Sequence, residues 1–375
     1  MSADLHVLIV DDSAVVRQTI LAILRTQPDI RTTIAADPLI AMERMKRDRP
    51  DVIILDLEMP RMDGITFLRK LMRETPTPVI VCSSHIGDGG AQAVRALQAG
   101  AVELIGKPTL GVQSFLNESA LLLIDAVRAA AAARLSIDDV TERRRGSVAR
   151  GERLRSPESP AGEDAARPAG ETPALRERRE ASLTLGMTGA RPQVIAIGAS
   201  TGGTEAIREI LDALPATSCG VVIVQHMPEM FTRSFANHLN DTSALSVKEA
   251  EAGDEVLPGR ALVAPGNHHL TVNRLGPRLF VDVTQGPLVS RHRPSVDVLF
   301  RSVAAAAGPQ AIGVILTGMG ADGAAGMLDL HQSGAHTIAQ NEATCAVFGM
   351  PNEAIRRGGV REVLPLGRIA GALSS

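Results

Sequence analysis

The chain has 375 residues, 45% of them apolar and 2% aromatic, with a formal net charge of -3. That length accommodates two or three domains with sizeable cores, and the near-neutral balance gives no basis for binding nucleic acid or an anionic membrane. No apolar run reaches the roughly eighteen residues of a membrane span, and the lack of Trp and Tyr removes the usual base-stacking platforms.

The N-terminal stretch Met1-Ser2-Ala3-Asp4-Leu5-His6 passes directly into an apolar strand and lacks a secretory signal layout. Short apolar runs follow at Val7–Val10, Thr32–Ala35, Val52–Leu55, Val79–Cys82 and Val102–Ile105. Amphipathic stretches lie between them, including Ser13–Arg25 and Pro38–Lys46. This alternation predicts a five-stranded, doubly wound parallel sheet over residues 1–133, with helices on both faces. Of the three cysteines, Cys82 and Cys219 lie in or beside strand-like runs, and none has metal-ligand or CxxC spacing. Buried, inert thiols in a reducing cytosol are expected.

In such a sheet the C-terminal strand ends converge on one rim, where ligands bind. The first strand ends in Asp11-Asp12, the third in Asp56, the fourth in Ser83, and the fifth leads to Lys107-Pro108. Three carboxylates on one rim repel each other unless a hard cation sits among them, and octahedral Mg²⁺ suits that role. One carboxylate can then attack a phosphoryl donor and become an acyl phosphate. Lys107 is placed to pair with the phosphoryl group and Ser83 to hydrogen-bond it. Taken singly, Asp12 and Asp37 also read as helix N-caps; the joint spacing favours phosphorylation.

On these motifs the front region resembles a response-regulator receiver domain. The matching stretches are Leu8-Ile9-Val10-Asp11-Asp12-Ser13, Asp56-Leu57-Glu58-Met59-Pro60-Arg61-Met62-Asp63-Gly64 and Gly106-Lys107-Pro108. The resemblance implies phosphorylation at Asp56 and Mg²⁺ held by Asp12, Asp56 and the backbone carbonyl of Glu58. It implies that Asp11 tunes the site and that a histidine kinase is the phosphodonor.

Residues 134–190 are rich in Arg, Glu, Pro, Gly, Ser and Ala, without aromatics. Such a segment buries too little apolar surface to offset its ordering and reads as a flexible linker. The cluster Arg143-Arg144-Arg145 could dock a partner, but mixed charge runs usually only solvate.

Residues 191–375 return to α/β patterning, with apolar runs at Val194–Ile197, Val221–Val224, Ala261–Ala264 and Ile312–Leu316. Runs at Leu270–Val272 and Leu279–Val283, separated by Gly276-Pro277, predict a hairpin insertion, and a helix is expected after Pro294. The first run leads into Gly198-Ala199-Ser200-Thr201-Gly202-Gly203 and then a helical stretch. A glycine turn between strand and helix can expose a nucleophilic serine beside free helix N–H groups; the same turn could instead cradle a phosphate.

A nucleophilic serine needs a base and an acid. His226 follows the Val221–Val224 run through Gln225, on the same rim as Ser200. His268 and His269 fall in a turn, His331 and His336 in or after a helix, and His292 lies between two arginines expected to suppress its charge. Asp322, in Leu316-Thr317-Gly318-Met319-Gly320-Ala321-Asp322-Gly323, meets the rim at another strand-to-helix junction, where it could also be a helix cap. The order Ser200, His226, Asp322 differs from the Ser, acid, His order of α/β-hydrolases, so the Gly-x-Ser-x-Gly match misleads about fold.

This back region is similar to the catalytic domain of the CheB family of chemotaxis protein-glutamate methylesterases. The likeness runs through Ile197–Ile207, Gln225-His226-Met227-Pro228, Phe231–Ala236, Arg291–Phe300, Leu316–Gly326 and Ala339–Cys345. It implies a Rossmann-like, mostly parallel α/β domain whose catalytic residues are Ser200, His226 and Asp322. Thr201 and the backbone N–H of Met319 are lesser candidates for oxyanion support. The implied substrates are methylated chemoreceptors, with receptor glutamines deamidated by the same acyl chemistry and no cofactor at this site. The receiver would act as a lid that phosphorylation releases. The rival is a non-enzymatic response regulator whose output domain binds DNA, a partner or a nucleotide. The glycine-rich rim carrying serine, histidine and aspartate together weighs against it.

Overall fold

In the computed structural model, which describes residues 4–83, 89–107, 113–133 and 192–374, the apolar runs become strands. The expected linker at 134–190 lies outside the described residues, as does Pro108. The front region runs β1 (Leu5–Val10), α1 (Ala14–Leu24), β2 (Ile30–Ala35), α2 (Pro38–Arg47), β3 (Val52–Leu55), α3 (Gly64–Glu74), β4 (Val79–Ser83), α4 (Gly89–Gln98), β5 (Glu103–Gly106) and α5 (Gln113–Ala132). Its five strands pair in parallel in the order β2-β1-β3-β4-β5.

Successive residues of a strand face opposite sides. Leu8, Val10, Ile53 and Leu55 enter one core and Val7, Ile9, Val52 and Ile54 the other. Burial on both faces explains why these strands read as continuous apolar runs. The strand order reverses between β1 and β3, which opens the crevice where Asp11 and Asp56 sit. Asp37 caps α2 by accepting from the Leu39 and Ile40 N–H groups at 2.8 and 2.9 Å. The capping expectation thus holds for Asp37, whereas Ser13, not Asp12, caps α1.

The back region runs β6 (Val194–Ala199), α6 (Gly203–Ala213), β7 (Gly220–Gln225), α7 (Glu229–Thr242), β8 (Ser246–Glu249), β9 (Arg260–Val263), β10 (His269–Leu275), β11 (Arg278–Thr284), α8 (Val296–Ala307), β12 (Ala311–Ile315), α9 (Ala324–Gln332), β13 (His336–Gln340), α10 (Met350–Arg356), β14 (Glu362–Leu364) and α11 (Leu366–Leu373). Seven strands pair in parallel in the order β14-β13-β12-β6-β7-β9-β8, and β10 and β11 form the expected antiparallel hairpin. Short strands β8 and β14 carry polar residues such as Lys248 and Glu362, so no apolar run marked them. Cys82 and Cys345 are buried, whereas Cys219 is half-buried, with burial pushing its thiol up to about 11.

Strand β6 is central and wholly buried. Gly198 lies so close to α8 that an added Cβ would stand 2.1 Å from Val296 Cγ1. This contact seats the N-terminus of α8 beside the rim of the sheet. Helix α4 of the front region packs on α7 of the back region, and the core beneath them is continuous.

Candidate active site

The front rim gathers charge with few donors. Asp11 and Asp56 are buried and Asp12 is exposed, with carboxylate oxygens of all three within 4.8 Å of one another. Lys107 Nζ donates to Asp56 Oδ2 at 2.7 Å and stands 3.1 Å from Asp11 Oδ2. Asp56 Oδ1 accepts from the Glu58 N–H at 3.2 Å, and Asp11 Oδ1 from the Ser13 N–H at 2.7 Å. Burial pushes the Asp56 carboxyl up to about 6, against the pull of Lys107, and raises Asp11 for the same reason. Among the described residues a single lysine faces three carboxylates, too few to offset them, and Asp11 Oδ2 lacks a hydrogen bond of good geometry. This hard-oxygen donor set fits Mg²⁺. Ser83 is buried at the end of β4, where its carbonyl accepts from the Lys107 N–H at 3.0 Å.

The back rim is built from three adjacent strands. Ala199 and Gln225 are register partners on β6 and β7, so Ser200 and His226 leave the sheet side by side. On the other flank the Ser200 N–H donates to the Thr317 carbonyl beyond β12, at 3.0 Å. The turn is closed by the Gly203 N–H donating to Ser200 O at 2.7 Å, with Gly202 at φ +76°, and Gln225 Nε2 donates to the same oxygen at 2.9 Å. The loop after β12 presses on the serine, since a Cβ on Gly318 would lie 2.7 Å from Ser200 Cβ. Met319 follows directly.

His226 Nε2 lies 2.8 Å from Asp322 Oδ2. Asp322 also accepts from Ser295 Oγ at 2.7 Å, the Val296 N–H at 2.7 Å and the Asp297 N–H at 3.2 Å. Its carboxylate therefore occupies the N-terminus of α8, where unpaired N–H groups and the helix dipole favour an anion. Burial works against the charge, but the bonds from His226, Ser295 and Val296 outweigh it and hold the carboxyl below its ordinary range. With Nε2 bonded to a carboxylate, His226 carries its proton there and offers Nδ1 as the basic nitrogen. Nδ1 is buried and has no hydrogen-bond partner among the described residues.

The front region reaches this turn directly. Thr201 Oγ1 donates to Glu103 Oε2 at 2.5 Å, and the Gly202 N–H to the Val102 carbonyl at 3.3 Å. The Thr201 hydroxyl is thereby committed away from an oxyanion in this arrangement. Burial pushes the Glu103 carboxyl up to about 7, against the lowering effect of the Thr201 hydrogen bond. Further contacts are Gln98 Nε2 to His238 Nε2 at 2.9 Å and Arg291 to Asp125 at 3.1 Å.

The CheB methylesterase family model matches residues 195–373, and the response regulator receiver model matches residues 7–114. A protein-glutamate methylesterase/protein-glutamine glutaminase of Geobacter metallireducens is 53% identical over 367 residues, covering 98% of this chain and 97% of that one. The chain belongs to the CheB methylesterase family. A relative of the same description from Anaeromyxobacter dehalogenans is 52% identical over 372 residues, 96% of this chain and 93% of its own. The CheB methylesterase catalytic domain structure from Thermotoga maritima is 39% identical and covers 49% of this chain and 98% of that one, with a TM-score of 0.48.

Two residues at this CheB-type rim escaped the sequence reading. Ser295 caps α8 and binds Asp322 with one hydroxyl. His292 stacks on His226, with ring centroids 3.7 Å apart. Its flanking arginines suggested a suppressed charge, and the direction is right. Burial is the main cause, His226 the next and Arg291 a lesser one, holding His292 at about 3. Of the two readings of Asp322, the helix cap is met, but the helix is α8 rather than its own α9, whose N-cap is Gly323; what bears on the triad-acid reading is its bond to His226. The signal in reach was the Pro294-Ser295 pair, a helix start placed just after a histidine.

Proposed function

We propose that this chain hydrolyses glutamate γ-methyl esters on chemoreceptors, and deamidates receptor glutamines, under the control of phosphorylation at Asp56. The observation that carries the proposal is the 2.8 Å bond from His226 Nε2 to a carboxylate fixed on a helix N-terminus, beside Ser200 on the adjacent strand. Ser200 Oγ attacks the ester carbonyl carbon as His226 Nδ1 takes its proton. Asp322, held charged, stabilises the imidazolium that forms. The Ser200 N–H is already given to Thr317, so the tetrahedral oxyanion falls to the Met319 N–H and, once Glu103 withdraws, to the Thr201 hydroxyl. His226 returns the proton to the leaving oxygen, methanol departs, and water cleaves the acyl-enzyme by the same proton path. With glutamine, ammonia leaves instead.

In the front region the Asp56 carboxylate accepts the phosphoryl group from a histidine kinase, Lys107 pairs with its oxygens and Ser83 hydrogen-bonds it. Asp12, Asp56 and the Glu58 carbonyl would hold Mg²⁺, which supplies charge neutralisation at the phosphoryl oxygens when bound. We assign residues 1–133 to the receiver, 134–190 to a linker and 191–375 to the esterase, in a cytoplasmic protein. The seating of Val102 and Glu103 on the Ser200 turn supports a lid that bars a receptor helix until phosphorylation shifts the population toward an open form.

The test is methanol release from methylated receptor membranes, with and without a small phosphodonor. S200A is expected to lower release by at least about 10⁴-fold; retained release would exclude the serine mechanism.

A further inference from the structure

A catalytic base needs its ring plane held as well as its proton partner. His226 is tied through Nε2 to Asp322, and a single hydrogen bond leaves the ring free to swing about that contact. The space beside the ring is filled by His292, at 3.7 Å between centroids and 7° from parallel. Two stacked imidazoles cannot both carry charge, and burial with its neighbour keeps His292 neutral. The charged groups acting on it are His226 when protonated, Asp322 from the loop after β12, and Arg291 from its own turn.

The backbone that delivers His292 is built against local preference. Val289 and His292 exchange both backbone hydrogen bonds, at 3.1 and 2.9 Å, around the two-residue turn Ser290-Arg291. Those residues stand at φ +52° and +68°, the left-handed pair that glycine and asparagine normally supply. Such strain persists only where the surroundings enforce it, and it clusters at functional sites. Here Ser290 Oγ donates to Asp297 Oδ2 at 3.3 Å, Arg291 pairs with Asp125, and Arg293 donates to Asn267 Oδ1 at 2.6 and 3.0 Å.

We propose that His292 is a positioning residue for the esterase, its neutral ring holding the plane of His226 so that Nδ1 faces the Ser200 hydroxyl. The inference rests on the hydrolytic reading of Ser200, His226 and Asp322. It concerns orientation alone, so a planar ring should suffice and a ring nitrogen should not be required.

The experiment compares full-length H292A, H292L and H292F for methanol release from methylated receptor membranes, with thermal melting of each. H292A should lower kcat about ten- to a hundredfold with KM within about twofold, because small misplacements of a reacting group cost that much. H292F should recover to within about fivefold of the unsubstituted protein. H292L fills the volume without a flat face and should stay low, which covers the case in which H292A fails to fold. H292L as active as H292F, H292F as inactive as H292A while melting normally, or kcat unchanged in H292A would each overturn the proposal. If the unsubstituted protein released no more methanol than S200A, the esterase reading itself would fall, and that outcome is distinct from a normal wild type with an indifferent H292A.

Discussion

Asp56 and Asp322 are both buried aspartates just beyond the C-terminal ends of parallel strands, yet their carboxyls move in opposite directions. Among the described residues Asp56 receives one lysine and one backbone N–H, and it is pushed up to about 6. Asp322 receives an imidazole, a hydroxyl and two N–H groups of α8, and is held down. Burial is the largest single influence on each, and the supply of donors decides the outcome. The difference suits the chemistry proposed for each rim. A carboxylate short of partners stays available to attack phosphorus and calls for a cation, whereas one saturated with donors is a fixed counter-charge that should never react.

Substitution at the two positions should separate the two rims by the largest margin. D322N should lower kcat by about 10³–10⁴-fold, since the amide cannot receive every donor now aimed at it and loses the charge that supports the imidazolium. D56N should leave basal methanol release intact and abolish its stimulation by a phosphodonor. Equal loss of basal activity in both would show that the rims do not play separate parts.

Glu103, a half-buried carboxyl where the front region meets the Ser200 turn, extends the contrast to pH. Its pKa of about 7 in the seated arrangement lies above the ordinary 4.5, so the seated form binds the proton more tightly. Seating is therefore strongest below pH 4.5 and weakens as pH rises through about 7. Basal activity relative to E103Q, which keeps an acceptor for Thr201 but does not titrate, should climb over that window and level off above it. E103A should raise basal activity several-fold at the acid end of that window, and the excess should shrink as pH rises through about 7. A flat ratio of wild type to E103Q would remove Glu103 from the control of access.

The smallest effect is expected at the rim of the contact. Arg291 and Asp125 form a largely exposed pair, and such pairs contribute about 0–1 kcal/mol. D125N should raise basal turnover by less than about fivefold, and the increment should vanish in high salt as screening removes the pair from both proteins.

Much of this architecture was legible because parallel strands buried on both faces must be apolar along their length. Val52–Leu55 and Val221–Val224 announce themselves for that reason, and the first or second residue after each run falls on the rim by construction. Asp56 and His226 were found in this way. His292 was not, because it reaches the rim from a left-handed turn with neither glycine nor asparagine at its tip, so no local preference marks it. Nor did spacing reveal that Asp322 binds the N-terminus of α8, which precedes it in the chain; tertiary packing, Val296 against Gly198 included, brings that helix end to the rim. The Glu103–Thr201 bond joins two regions separated by the whole linker, and pairings of that range leave no periodic trace.

The order of the two sheets along the chain also has a consequence in time. Regions fold as units while a chain is synthesised, the N-terminal one first. Strand β5, with Glu103 at its start and Val102 just before it, is finished before the ribosome reaches Ser200. Asp322 and β12 arrive much later, and β6 lacks a neighbour on one side until they do. The Ser200 turn is thus born opposite a completed seat and ahead of Asp322, so a newly made molecule need not pass through a stage in which the completed rim stands open.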